Sequence, residues 1–289
     1  MKRFILAVAA TVVCLGNLAW AQPKEKYEGK TLIVCKWGEK PGECQTRMWE
    51  GDGDWPRSFV VDDKEHVYVL DHLNNRVQHY DEAGKLLGVI PIQSYQLCTE
   101  EEAEENQGRE YSVFSIEGMW LINGGIYAMQ DEKHQDTHKK TLLEMHEGSF
   151  VPVVSTTTKT LVEKRMTVEY RNADIREHLN THQKFKTSVK KTKFGDREEF
   201  FYDGLRIGSA YFDRGNNVWI VSRGRIRKYG HQGTLLFETP LDNMASHDVS
   251  NNGNLYLMNL YSTKPGDPAH LGFEDYWEGV DIKKFTPAK

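Results

Sequence analysis

Residues 54–88 read DWPRSFVVDDKEHVYVLDHLNNRVQHYDEAGKLLG, and within them apolar and polar residues alternate in two runs, 67–71 and 76–80. Side chains of a strand point to opposite faces in turn, so alternation of this kind is typical of strands with one buried face. Asn74-Asn75 separates the two runs and Gly84 follows the second, at places where tight turns need positive φ. The stretch therefore predicts antiparallel strands joined by tight turns.

The pattern recurs along the chain. The triplet at 67–69, VYV, corresponds to VWI at 218–220, LYL at 255–257 and IYA at 126–128, each after a polar turn. In the two clearest copies a second strand follows, with RVQHY at 76–80 leading into DEAG and RIRKY at 225–229 leading into GHQG. Four short strands that repeat at about 40 residues are the signature of a propeller blade. The sequence predicts an all-β chain, folded as a single β-propeller of four-stranded antiparallel blades.

Residues 54–88 resemble the NHL repeat of the TolB-like six-bladed β-propeller superfamily. The resemblance lies in Pro56, in Tyr68-Val69 with Asp71, in Asn75-Arg76-Val77-Gln78, and in Asp81 with Gly84-Lys85. The copy at 205–240 departs from it, with Ser222-Arg223-Gly224 where the family has Asp and a longer loop. We expect a structural role within the blades, through local ion pairs, packing and turns, for Pro56, Asp71, Arg76, Tyr80, Gly84, Arg225, Tyr229 and Gly233.

The number of blades and the closure of the ring follow from the spacing. Equivalent strands begin at 67, 126, 218 and 255, and the long third interval predicts a divergent blade between 155 and 200. Five blades are countable, whereas the resemblance favours six. The strand at 280–285 leaves no sequence for an outer strand, while residues 31–35 form a strand with no blade of their own. We therefore expect 31–35 to pair with 280–285 and to close the last blade, which removes exposed sheet edges.

The N-terminus has the features of an export signal. Lys2 and Arg3 precede a short apolar stretch and Ala19-Trp20-Ala21, as in a secretory signal peptide at 1–21. The alternative is a lipid anchor on Cys14, although the residues before it lack the usual leucine. A linker at 22–29 and the propeller at 30–289 complete the predicted organisation. The chain is expected to be exported to the periplasm or the extracellular space, without stable insertion in a membrane.

Cysteine usage agrees with export. Cys35 and Cys44 would close a short turn-rich loop as a disulfide, which leaves Cys98 as the odd thiol. The alternative is three reduced or buried cysteines. Without Lys2 and Arg3, the chain's 37 basic residues fall to 35 against 42 acidic ones, a net charge of −7. This balance argues against a nucleic-acid partner, because phosphate contacts need a basic surface.

No catalytic motif is present in the sequence, which lacks G-x-S-x-G, H-E-x-x-H, a P-loop and an EF-hand loop. The favoured interpretation is a non-catalytic module that binds a protein or a glycan, with no cofactor. The alternative is a metal-dependent hydrolase or lyase of the gluconolactonase-like type, in which calcium is possible, although no ligand set of that type maps onto this chain. Either function would use the central funnel, whose predicted lining residues are Arg57, Glu117, Ser209, His247 and Asp248.

Weaker features have plainer explanations. His134 with His138 and His178 with His182 have the spacing that places two imidazoles on one face of a helix, where they could share a metal ion. The residues around the first pair are, however, typical of a hairpin tip. The acidic run at 99–105 reads as an exposed loop, and the basic run at 184–193 as the outer face of an edge strand. The Gly-, Pro- and aromatic-rich insertion at 261–277 either carries function or caps a blade.

Overall fold

The structure is a computed structural model. It describes residues 24–49, 52–56, 58–97, 99, 101, 104, 112–122, 124–134, 137–156, 158–160, 189–194, 197–202, 205–206, 209–215, 217–222, 224–230, 232–241, 246–264 and 276–288.

Almost every described element is a strand. In chain order these are β1 (Tyr27–Trp37), β2 (Glu43–Cys44), β3 (Arg47–Trp49), β4 (Asp52–Asp54), β5 (Phe59–Val61), β6 (Val67–Asp71), β7 (Arg76–Tyr80), β8 (Leu86–Pro91), β9 (Tyr95–Leu97), β10 (Ser112–Ile122), β11 (Gly125–His134), β12 (Thr137–His146), β13 (Ser149–Pro152), β14 (Val189–Phe194), β15 (Arg197–Tyr202), β16 (Leu205–Arg206), β17 (Ser209–Phe212), β18 (Val218–Ser222), β19 (Arg225–Tyr229), β20 (Leu235–Pro240), β21 (Ser246–Val249), β22 (Leu255–Tyr261) and β23 (Gly279–Pro287). A short 3-10 helix, His72–Asn74, joins β6 to β7.

The strands form the blades that the sequence predicts. The first blade is β5–β8, the second is β10–β13 with β9 added beside β10, and a further blade is β17–β20. The last blade is β21, β22, β23 and β1, with the short β2 beside β1, and β3 pairs only with β4. Neighbouring strands within each of these four blades are antiparallel. The chain is an all-β propeller, as predicted.

The predicted closure of the ring is confirmed. Strand β1 pairs with β23 in antiparallel register, with Val34 opposite Asp281 and Cys35 opposite Val280. The pairing is longer than the sequence indicates, because it runs from Tyr27 opposite Pro287 to Lys36 opposite Gly279. It therefore begins inside residues 22–29, the stretch assigned to a linker.

The divergent blade between 155 and 200 corresponds in part to a three-stranded sheet, β14–β15–β16. Strand β14 lies at one edge of this sheet and carries the end of the basic run, as expected for an edge strand. Residues 161–188 lie outside the described residues, and so the count of six blades stays a prediction.

Strand β6 is buried along its whole length because the first blade is packed on both of its faces. Val67 and Val69 belong to a core shared with the last blade, which includes Ile33, Cys35, Tyr256, Met258 and Ile282. Tyr68 and Leu70 face the other way, into a core shared with the second blade, which includes Met119, Ala128 and Leu143. The hydrophobic core thus lies between blades, as alternation along each strand requires.

The turn between β7 and β8 shows why a glycine follows Asp81. Gly84 has φ of +83°, a conformation that costs other residues free energy, and its N–H donates to the Asp81 carbonyl. A Cβ at this position would also lie 2.1 Å from the carbonyl oxygen of Leu32 on β1. The predicted structural role of Gly84 therefore has two parts, the turn and the close approach of the closing strand.

Candidate functional site

The predicted funnel residues fall on or beside the first strands of their blades, but only two of their side chains are described. Glu117 is on β10 and Ser209 is on β17, whereas Arg57 lies outside the described residues. His247 and Asp248 are on β21. The structure therefore supplies side-chain geometry for His247 and Asp248 alone among these five.

Asp248 joins the last blade to the first. Its Oδ2 accepts a hydrogen bond from the N–H of Val61 on β5 at 2.9 Å, and its Oδ1 accepts one from the N–H of Val249 at 2.8 Å. Burial of the carboxyl group raises the pKa of Asp248 to about 7, against the opposing effect of these two N–H groups. The residue as a whole is only half-buried. His247 beside it packs edge-on against the ring of Tyr211 at 5.7 Å.

The raised pKa of Asp248 predicts a specific dependence of stability on pH. The folded state holds a proton that the unfolded state has already released, so the free energy of unfolding should fall as pH rises from about 4 to about 7. We expect Asp248 to contribute a loss of about 2 kcal/mol over this range, less than the roughly 4 kcal/mol of a fully enclosed carboxyl group, because solvent reaches the residue. Denaturant melts of the parent and of Asp248→Asn across this range measure the difference. Parallel curves for the two proteins would contradict the assignment.

The residues that resemble the NHL repeat hold the disulfide loop. Cys35 and Cys44 are bonded, as predicted, and both are buried. The guanidinium of Arg76 donates to the main-chain carbonyls of Lys40 at 2.9 Å and Glu43 at 2.7 Å, and also to that of Glu39. Loop 36–44, which follows the closing strand, is thereby fixed on the first blade.

A buried carboxylate and an amide complete this contact. Asp71 is fully buried and accepts from Arg76 Nε at 2.7 Å and from the N–H of Gln45 at 3.0 Å. Gln78 is also fully buried; its Nε2 donates to the Glu43 carbonyl and its Oε1 accepts from the N–H of Gly42. The local ion pair expected between Arg76 and Asp71 is present, but its main contribution is to a contact between distant segments.

Among the described residues, the second clear copy shows no contact of this kind. Arg225 is half-exposed and pairs with Glu238 on the neighbouring strand β20. Tyr229 is buried, and Gly233 forms the turn with φ of +75°. In the first copy Pro56 and Tyr80 are both buried. The same sequence position therefore has a local role in one blade and a long-range role in the other.

The remaining sequence features either form no site or lie mostly outside the described residues. His134 ends β11 and His138 lies on β12, so this pair is on a hairpin and not on one face of a helix. His178, His182 and Cys98 lie outside the described residues, as does most of the run at 99–105 and of the insertion at 261–277. Within the described part of the chain, no group of three His, Cys, Asp or Glu side chains stands ready to hold a metal ion. No helix in that part is long and apolar enough to cross a membrane.

A cleft that could receive a ligand lies between the first and second blades. Its volume is about 460 Å³, within the range of pockets that bind small molecules or peptide side chains. The lining residues are uncharged and come from both blades: Asn75, Pro91, Ile92, Gln93, Gln130, Leu143 and Phe150. The cleft therefore combines an apolar surface with three side-chain amides.

Hydrogen bonds to main-chain atoms hold two of these amides. Asn75 Oδ1 accepts from the N–H groups of Ser94 at 2.8 Å and Tyr95 at 2.7 Å, which holds the loop after β8. Gln130 Nε2 donates to the Gln93 carbonyl at 2.6 Å across the two blades. No described residue accepts from Asn75 Nδ2 or donates to Gln130 Oε1, so both atoms are available to a ligand.

The strands that border the cleft carry exposed apolar side chains. Pro91 belongs to β8 and Phe150 to β13, and these two strands lie against each other. Among the described residues, four of the five exposed large apolar side chains are on these strands or just after them: Leu87, Val89, Val151 and Val154. The fifth, Val34, is on β1. Val89 pairs with Gln78 and Val151 with Glu144, so each lies on the opposite face of its strand from Ile90 or Phe150.

The comparisons with known proteins leave the family open. No protein-family model matches the chain, and no curated protein matches it. Among solved structures the chain is similar to virginiamycin B lyase from Staphylococcus aureus, at 11% identity over 90% of this chain and 99% of the lyase, with a TM-score of 0.36. A gluconolactonase from Xanthomonas campestris gives 9% identity over 94% of this chain and 99% of that chain, with a TM-score of 0.34.

A protein of unknown function from Bacteroides caccae gives 9% identity over 70% of this chain and a TM-score of 0.20, and the chain covers only 52% of that protein's length. None of these likenesses carries a function over to this chain. The resemblance of residues 54–88 to the NHL repeat likewise stays a prediction.

Proposed function

We propose that this protein is an exported β-propeller that binds an uncharged segment of another protein in the cleft between its first and second blades. The observation that supports this most is the cleft of about 460 Å³, lined by amides and apolar groups. Side-chain amides such as those of Asn75 and Gln130 pair with the main-chain N–H and C=O groups of a peptide. The described residues of the lining carry no charge, which favours a neutral segment.

A protein segment suits this surface better than a glycan. Ile92 and Leu143 are buried at the cleft, and Pro91 and Phe150 complete its apolar lining. Aliphatic side chains of a partner would remove this surface from water, which stabilises the complex by about 25 cal/mol for each Å² buried. The hydroxyl-covered surface of a sugar would gain less. The cleft thus favours the protein partner of the two that the sequence left open.

Export is part of this proposal and rests on two observations. The sequence begins with the features of a signal peptide, and the Cys35–Cys44 disulfide is of the kind that persists in oxidising compartments. A reporter enzyme fused after residue 21 should be exported, and replacing the apolar stretch of residues 4–15 by polar residues should keep it in the cell.

Binding to a panel of short synthetic peptides tests the cleft. We expect uncharged peptides with aliphatic side chains to bind, and the same peptides with a central Asp or Lys to bind at least about tenfold more weakly. Gln93→Lys should weaken binding by a similar factor, because it places a charge in the lining of the cleft. Fluorescence polarisation of labelled peptides measures these affinities.

Val34→Asp is the control, because Val34 is exposed but lies on β1, which does not line the cleft. This variant should bind like the parent. Equal weakening by Val34→Asp and Gln93→Lys, or binding of oligosaccharides in place of peptides, would contradict the proposal.

Asp248 favours a second candidate function, a hydrolase or lyase that acts in the central channel. A carboxyl group whose pKa lies near 7 can hold or release a proton at neutral pH, as general acid–base catalysis requires. Metal analysis of the purified protein separates the two candidates. A tightly held stoichiometric calcium or zinc ion that Asp248→Asn removes would support the enzyme.

A further inference from the structure

Two histidines meet on the first blade, at the end opposite the cleft. His66 lies in the turn between β5 and β6, and His79 is on β7. His66 Nδ1 and His79 Nε2 are 3.1 Å apart, and both side chains are half-buried. Two nitrogens bound to one tetrahedral Zn²⁺ at 2.0–2.1 Å are separated by roughly 3.3 Å, so the pair is close to the spacing that the metal needs.

A carboxylate, that of Asp62, adjoins the pair. Asp62 Oδ1 accepts hydrogen bonds from the N–H groups of Lys64 and His66, each at 2.9 Å. Its Oδ2 lies 3.8 Å from His66 Nδ1 and accepts from the Tyr68 hydroxyl at 3.4 Å. A rotation of the carboxylate about its Cβ–Cγ bond would bring Oδ2 nearer to the two ring nitrogens.

Neighbouring side chains fix both imidazoles. The ring of Tyr68 stacks on His79 at 4.2 Å with an angle of 8° between the planes. Glu82 Oε2 lies 3.8 Å from His66 Nε2, on the side of the ring away from His79. A carboxylate on the far nitrogen of a ligating histidine orients the ring and makes it a stronger ligand.

We propose that Asp62, His66 and His79 bind a divalent transition metal of the Zn²⁺ class, with solvent as the fourth ligand. In the described structure the three side chains do not form a ready-made site, so binding requires the rotation of the Asp62 carboxylate. Two imidazoles and one carboxylate select Zn²⁺, Ni²⁺ or Co²⁺ over Ca²⁺ and Mg²⁺, which prefer oxygen ligands. This inference is independent of the proposed function at the cleft.

A metal ion bound here would stabilise the contact between the first and last blades, where the ring closes. Glu65 lies in the same turn and accepts hydrogen bonds from Ser250 Oγ at 3.1 Å and from Asn254 and Lys284, all in the last blade. Neighbouring Asp62 and His66 sit at the two ends of this turn. Binding would therefore hold the turn in the conformation that contacts the last blade.

Zinc titration of the untagged, chelator-treated protein tests the proposal. We expect calorimetry to show one equivalent of Zn²⁺ that raises the midpoint of thermal unfolding, and the His66→Gln/His79→Gln variant to lose that equivalent. Each single variant should weaken binding by at least about tenfold, and Glu82→Gln, beyond the ligands, by up to about tenfold. The single variants keep the test decisive if the double variant does not fold.

His146→Gln is the control, since His146 is an exposed histidine that also pairs with a carboxylate, that of Glu144. This variant should bind Zn²⁺ like the parent. Binding that is unchanged in His66→Gln and His79→Gln would overturn the proposal, as would the absence of a zinc-dependent rise in the thermal midpoint.

Discussion

A chain that begins at Gln45 will be largely unfolded or aggregated, with a loss of more than about 5 kcal/mol in the free energy of unfolding. It lacks β1, so the last blade ends on the unpaired edge of β23. It also lacks the disulfide and the buried side chains of Ile33 and Cys35, which belong to the core between the last and first blades. Circular dichroism and denaturant melts measure the loss.

The N-terminal segment contributes further contacts that this chain would lose. Tyr27 packs edge-on against the buried Trp219 at 5.7 Å, and its hydroxyl accepts from Lys228 Nζ at 2.9 Å. Lys228 is itself buried and also pairs with Glu25 at 2.8 Å. The segment thus ties the β17–β20 blade to the last blade, and its removal leaves a buried ammonium group without Glu25.

Cys35→Ser/Cys44→Ser in the otherwise complete chain is the control, because it removes the crosslink and keeps the strand. A crosslink that closes so short a loop contributes about 2–3 kcal/mol. If the chain that begins at Gln45 is as stable as this double variant, the pairing of β1 with β23 contributes nothing measurable.

Arg76→Met will lower the free energy of unfolding by about 3–5 kcal/mol. The change leaves the fully buried Asp71 without its guanidinium partner. It also removes the donors to the carbonyls of Lys40 and Glu43, so the disulfide loop loses most of its contact with the first blade. Urea melts of the purified variant measure the effect.

Arg225→Met is the matched control, since Arg225 occupies the same position in the repeat and its ion pair with Glu238 is solvent-exposed. Exposed pairs of this kind contribute about 0–1 kcal/mol. Equal losses for the two arginines would show that Arg76 has only a local role.

The closure of the ring could be predicted from the sequence, because the strands that take part in it can be counted along the chain. The last blade lacks an outer strand and residues 31–35 lack a blade, so pairing the two follows from the pattern alone. The Cys35–Cys44 disulfide follows in the same way from a short loop and an oxidising compartment.

The contact between Arg76 and the disulfide loop could not be predicted from the sequence. Its acceptors are main-chain carbonyls, which any residue supplies, and they lie more than thirty residues away in sequence. The resemblance to the NHL repeat marked Arg76 and Asp71 as structural residues but gave no partner outside their own hairpin.

The cleft could not be predicted from the sequence either. Gln93 and Gln130 lie in different blades, and amides on exposed strand ends are common in β-proteins without any role in binding. The predicted funnel residues, in contrast, came from the propeller architecture alone.

Hydrogen–deuterium exchange with and without the tightest-binding peptide of the panel tests the central claim most directly, because it locates the ligand on the chain. We predict slower exchange in β8, in residues 92–93 and in β13, which border or line the cleft. Protection confined to the inner strands β5, β10 and β21, with no change at β8 and β13, would place the ligand in the central channel and contradict the account.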